Sequence, residues 1–103
     1  MDMKKAMHYY ELAAMKGYAS ARYTLGALEQ EAGNTDRALR HFMIAVESGH
    51  SGSLTNIQIL YSQGQATKDD YLKALQTYQK YLVEVKSSQR DQAAAFDDRY
   101  KYI

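Results

Sequence analysis

Ala38-Leu39-Arg40-His41-Phe42-Met43-Ile44-Ala45-Val46-Glu47-Ser48-Gly49 decides how the rest of the chain is read. Ala38, Phe42, Ala45 and Val46 recur at i, i+4, i+7 and i+8, one face of a helix with 3.6 residues per turn. Gly49 follows that run and suits the left-handed residue just past a helix end, where any side chain would be penalised. Upstream, Gly33-Asn34-Thr35-Asp36 reads as a turn, with Thr35 as N-cap and Asp36 in a first turn whose dipole favours negative charge. The segment is therefore an amphipathic helix with its own start and stop.

The same face is spelled again on both sides. Ala6, Tyr10, Ala13, Ala14 and Gly17 match Ala38, Phe42, Ala45, Val46 and Gly49 at an offset of 32, as do Ala21 with Ser53 and Leu25 with Ile57. A third copy, Ala74, Tyr78, Tyr81 and Leu82, lies 36 residues past the second, the extra four falling between Gly64 and Ala74. Self-similarity at such a period marks a repeat architecture. Alternation of period two is not sustained, so no strand is expected. Thr67 with Asp70, and Ser88 with Asp91, resemble capping boxes with Asp in place of Glu.

The expectation is all-α: six helices over 2–16, 19–32, 35–48, 51–64, 68–86 and 88–102. Loops of two to four residues make neighbours antiparallel. A helix of ~14 residues with one apolar face is not stable alone in water. Stacked hairpins bury that face, which makes the chain one domain, 1–103, an α/α superhelix (solenoid) of about three units at 1–32, 33–66 and 67–103.

Composition narrows the function classes. Hydrophobic residues are 46% and charged residues 24%, a globular balance rather than a disordered one. The 13 basic and 12 acidic side chains give a net charge of +1 without any block of one sign, so neither a nucleic-acid nor an anionic-membrane footprint is present. Cysteine is absent, which excludes disulfides, thiolate zinc sites and cysteine nucleophiles, and points to a reducing, cytoplasmic compartment. No signal-peptide core and no apolar run of membrane-spanning length is found.

Residues that could carry chemistry are better read as packing. The three histidines His8, His41 and His50 form no i, i+3 or i, i+4 pair, so no metal site is expected; His41 takes the aromatic slot of Tyr9. Of ten tyrosines, Tyr9, Tyr10, Tyr61, Tyr78 and Tyr81 fall on repeat positions expected to pack. Tyr18, Tyr23, Tyr100 and Tyr102 are freer to meet a partner. No glycine-framed nucleophile, phosphate loop or dinucleotide fingerprint occurs, and the acid pairs Asp69-Asp70 and Asp97-Asp98 suit helix ends and polar faces, so no enzyme activity and no cofactor are expected. Met3 and Met7 share a face with Tyr10 and Ala14. By repeat phase the chain opens on the second helix of a unit, so its first helix is expected to meet a preceding repeat or another molecule, self-association included. On the last helix Ala93, Phe96, Tyr100 and Ile103 form a narrow stripe among charges, as on a capping helix.

Ala38-x-x-His41-Phe42-x-x-Ala45-Val46-x-x-Gly49, preceded by Leu25-Gly26 and Gly33, resembles the Sel-1-like repeat, a relative of the tetratricopeptide repeat. Ala6-x-x-Tyr9-Tyr10-x-x-Ala13-Ala14-x-x-Gly17-Tyr18-x-x-Ala21 is the closest copy, and Tyr61-x-x-Gly64 with Asp70-x-x-Lys73-Ala74 keeps the spacing. The chain departs from the pattern where Gln58 replaces a small residue, where Glu29 replaces an aromatic, and where Val85 replaces a helix-ending glycine. The resemblance implies a right-handed stack whose even-numbered helices line a concave, protein-binding face. Its groove positions fall on Tyr23, Thr24, Ala27, Gln30 and Glu31, and on Thr55, Asn56, Ile59, Ser62 and Gln63. Relatives that grip a C-terminal carboxylate use Lys or Arg there; of that set only Asn56 is present, so an extended peptide or partner helix is the expected guest. The reading is a scaffold or adaptor. An RNA-binding helical repeat, which would need a basic groove, and the non-catalytic region of a larger enzyme are the alternatives.

Overall fold

Each of the first four helices stops in the same way, and the fold follows from those stops. The computed structural model describes the backbone of residues 2–101 and, Met3 apart, the side chains through Ser87. Within these residues the chain is all helix and turn: α1 (Met3–Met15), α2 (Ala19–Glu31), α3 (Thr35–Glu47), α4 (Ser51–Ser62) and α5 (Lys68–Lys101). After α1, the Gly17 N–H donates to the Ala14 carbonyl and the Tyr18 N–H to the Ala13 carbonyl. The pattern recurs for Gly33 and Asn34, for Gly49 and His50, and for Gly64 and Gln65. This is the Schellman closure, which requires a left-handed residue; the four glycines have φ between +76° and +89°. Each helix then packs against the one that follows it.

α3 is the centre of the molecule, packed against α2, α4 and α5. The face expected to be buried is buried: Ala38, Phe42, Ala45 and Val46 are fully inaccessible, as are Ile57 and Leu60 of α4 and Ala74 of α5. Tyr23, Leu39, Met43, Leu54, Tyr71 and Tyr78 pad this cluster. A smaller cluster, Ala14, Ala21 and Leu25 with Tyr10 and Ala13, joins α1 to α2. Two glycines set the closest approaches. A Cβ on Gly26 would lie 2.5 Å from the Phe42 ring, so α2 and α3 meet where no side chain can stand between them. A Cβ on Gly49 would overlap the ring of Tyr81.

The Thr67–Asp70 capping box forms as expected. The Asp70 N–H donates to the Thr67 hydroxyl and the Thr67 N–H to the Asp70 carboxylate, both at 3.0 Å. The α3 N-cap is Asn34 rather than Thr35, and its side chain is spent elsewhere.

The C-terminal third departs from the sequence expectation. The helices expected over 68–86 and 88–102 are one helix of 34 residues, ~51 Å long at 1.5 Å per residue, so five helices stand where six were expected. The physical reason lies in the missing stop. Residues 65–103 contain neither glycine nor proline, and Val85 stands where the repeat would put a terminating glycine. Serines 87 and 88 each cost only roughly half a kcal/mol inside a helix, too little to break one against continuous backbone hydrogen bonding. Ser88-x-x-Asp91 therefore starts no helix. The stripe Ala93, Phe96, Tyr100 and Ile103, the acid pair Asp97-Asp98, and Tyr100 and Tyr102 as partner contacts lie outside the described side chains.

Candidate partner-binding faces

The candidate groove residues separate into packing and surface groups. On α2, Tyr23 is not free: its ring lies 5.7 Å from Phe42 and 4.8 Å from His50, centroid to centroid, and is half-buried between them. The expectation that it would reach a partner overlooked His50. That histidine caps α4, its Nδ1 accepting the N–H of fully buried Ser53 at 3.0 Å, and this anchors the imidazole beside Tyr23. Capping by histidine carries no signal in a sequence scan for Ser, Thr, Asp or Asn.

Thr24, Ala27 and Gln30 are half-buried on α2 and Glu31 is exposed. On α4, Asn56 is half-buried, whereas Thr55, Ile59, Ser62 and Gln63 are exposed. Hydroxyl protons along these faces are already used. Thr24 Oγ1 donates to the Ser20 carbonyl, Thr55 Oγ1 to Ser51 and Ser62 Oγ to Ile59, at 3.0, 3.2 and 2.7 Å. These hydroxyls are left as acceptors. Ile59, 42% exposed, is the large apolar side chain among them.

Glu29, at a position where the repeat favours an aromatic ring, has a different role. Its carboxylate is buried and accepts from the Asn34 side-chain amide at 2.8 Å, closing the α2–α3 turn. No buried side-chain nitrogen or oxygen among the described residues lacks a partner.

His41 is half-buried, as expected of a packing residue, and accepts a long 3.4 Å hydrogen bond on Nδ1 from the Arg22 guanidinium. Burial, and then the Arg22 charge, hold its pKa below the ordinary 6.5, against weaker opposing pulls from Glu29 and Glu11. A depressed folded-state pKa means that the unfolded chain takes up this proton first. The contribution of neutral His41 is therefore intact above about pH 6.5 and is lost as pH falls through its folded-state value. Proton NMR should find His41 titrating below the ordinary 6.5 of a histidine, and Arg22→Gln should move it upward. A titration unmoved by Arg22→Gln would contradict the contact.

Two apolar surfaces lie outside the expected groove. Leu39, Met43 and Ile44 of α3 floor a channel toward Asp70, Lys73 and Thr77 of α5. Its signal was present in the sequence, since these residues widen the apolar sector of α3 beyond the buried stripe. On α1, Tyr9 and Met15 are 70% and 81% exposed, which corrects the expectation that Tyr9 packs. Its repeat partner His41 is covered by α2, whereas no element among the described residues occupies that side of α1. Tyr61 is also largely on the surface, stacked at 5.4 Å on Tyr71, while Tyr10, Tyr78 and Tyr81 are half-buried. Leu82, the last member of the third copy, is exposed.

Among the described residues no three His, Asp or Glu side chains are grouped to hold a metal ion, and no helix is long and apolar enough to cross a membrane. No known family model, curated protein or solved structure matches the chain.

Proposed function

We propose that this chain is a protein-interaction scaffold: a Sel-1-like α/α solenoid whose α2 and α4 present a face to an extended peptide or partner helix. One observation carries the reading. Ile59 stands exposed on α4 with Thr55, Ser62 and Gln63 around it, an apolar anchor inside a neutral polar rim. The face carries no Lys or Arg at its groove positions, and Glu31 is its one ionisable member besides Tyr23. Selectivity for carboxylate termini or phosphate backbones is therefore not part of the proposal. A single module of this kind binds at about micromolar Kd, ~8 kcal/mol.

Peptides selected from a displayed library against the whole chain would test this. Ile59→Asp should weaken them at least about tenfold, near 1.4 kcal/mol, with the thermal unfolding midpoint unchanged. Leu12→Asp, an exposed apolar position on α1 outside this face, should leave their affinity as it was. Selected peptides that bind Ile59→Asp as tightly as wild type would overturn the assignment of this face.

A further inference from the structure

α1 carries a surface of a different kind from the α2–α4 face. At about 100° of turn per residue, its outward arc from Lys4 round to Tyr9 spans about 140°. Lys4, Lys5, His8 and Lys16 lie on that arc, all exposed. Among them stand Tyr9, Leu12 and Met15, 70%, 45% and 81% exposed. No acidic side chain shares the arc. Asp2, at one edge, is committed to capping, its carboxylate accepting the Lys4 N–H at 3.0 Å. Glu11, past the other edge, lies on the side toward His41. In a chain of 13 basic and 12 acidic side chains mixed along its length, this is a one-signed surface with an apolar centre.

Its shape narrows what can cover it. Lys4, Lys5, His8, Tyr9 and Leu12 line a hollow of about 450 Å3. A protruding side chain can enter a hollow, whereas a flat bilayer surface leaves it unfilled, so the concavity favours a protein segment over lipid. Lys5, Tyr9, Leu12 and Lys16 are spaced four, three and four, the seam along which one helix packs on another. At the position of α3 equivalent to Tyr9, His41 is half-buried against a helix, α2, whose Arg22 reaches it. A helix is therefore the form this side of the repeat accepts. The charges decide its composition: apolar side chains over Tyr9 and Leu12, and carboxylates toward the lysines that bracket them. Lys5 and Lys16 are separated by ~16 Å of helix rise, so three turns of partner helix span the strip.

We infer that α1 is a docking strip for an acidic amphipathic helix of a partner protein, separate from the α2–α4 face. A Leu- or Phe-sized side chain of that helix fills the hollow at Tyr9 and Leu12, and its Asp or Glu residues pair with Lys5 and Lys16. Exposed ion pairs contribute little each, so apolar contact supplies the affinity. Charge orients the helix and rejects basic competitors.

The strip is on the surface, whereas α1 is held to α2 through Ala14, Ala21 and Leu25, so substitutions on it should leave the circular dichroism melt unchanged. A displayed library of helical peptides, randomised on one face and selected against the whole chain, should return peptides with Asp or Glu flanking a large apolar residue. Lys5→Glu/Lys16→Glu should weaken these at least about tenfold at low salt, with the difference shrinking as salt rises. Exchanging their acids for lysine should restore binding to that variant. Leu12→Asp should weaken them too, and Ile59→Asp should not, which keeps this test apart from that of the α2–α4 face. Selected peptides without an acidic bias, or acidic peptides indifferent to Lys5→Glu/Lys16→Glu, would overturn the inference. So would retention of the chain on phosphatidylserine vesicles through the same two lysines with no acidic peptide selected, which would assign the strip to a lipid surface.

Discussion

Phe42→Ala is expected to lower the unfolding free energy by about 3–5 kcal/mol, read from urea transitions followed by circular dichroism. The ring is fully inaccessible, lies over Gly26 and is 5.7 Å from Tyr23. Deleting it removes buried apolar area and leaves a void that Gly26, lacking a side chain, cannot fill. For a small domain whose total stability is about 5–15 kcal/mol, this is a large share. Its repeat counterparts Tyr10 and Tyr78 are half-buried, so truncation there should cost distinctly less. A second outcome tests the contact itself. Gly26→Ala gains about 1 kcal/mol in helix propensity and loses about 1–3 kcal/mol to overpacking against Phe42. With Phe42→Leu the overpacking should shrink, so the two changes should be non-additive. A Phe42→Ala melt that overlays wild type would refute the packing described here.

Gly49→Ala is the next largest expected effect, about 2–4 kcal/mol. Gly49 has φ +86°, where any L-residue pays roughly 1–2 kcal/mol, and its Cβ would also enter the Tyr81 ring. Gly17 and Gly33 have φ +89° and +85° but open space where a Cβ would go, so Gly17→Ala and Gly33→Ala should show the backbone cost alone. The comparison separates conformation from packing. Combining Gly49→Ala with Tyr81→Ala should reduce the additional penalty to the level at Gly17. Equal costs at all three glycines in the native background would show that Tyr81 does not seal this turn.

How far the fold could be read ahead depends on how local its causes are. The buried stripe Ala38, Phe42, Ala45 and Val46 was legible because a helix needs only its own spacing to declare a face. The Thr67–Asp70 box was legible because both partners lie within one turn. Tyr23 was misplaced because its surroundings come from His50, 27 residues away, and from a histidine cap that residue preference does not announce. The Arg22–His41 contact and the buried Glu29 carboxylate were likewise invisible, since each depends on how two helices close on one another.

By itself the order of amino acids determined that this chain is helical, that two of its helices end at Gly17 and Gly49, and which stripe of α3 goes inside. Those outcomes rest on dihedral freedom and on periodicity, which act over a few residues. Tertiary structure alone decided which repeated aromatics are covered. It also decided what occupies Gly26 and Gly49, because burial is the joint property of surfaces brought together from distant parts of the chain. The length of α5 lies between the two: the missing glycine was visible at Val85, but only the folded molecule showed that the helix runs on through the serines.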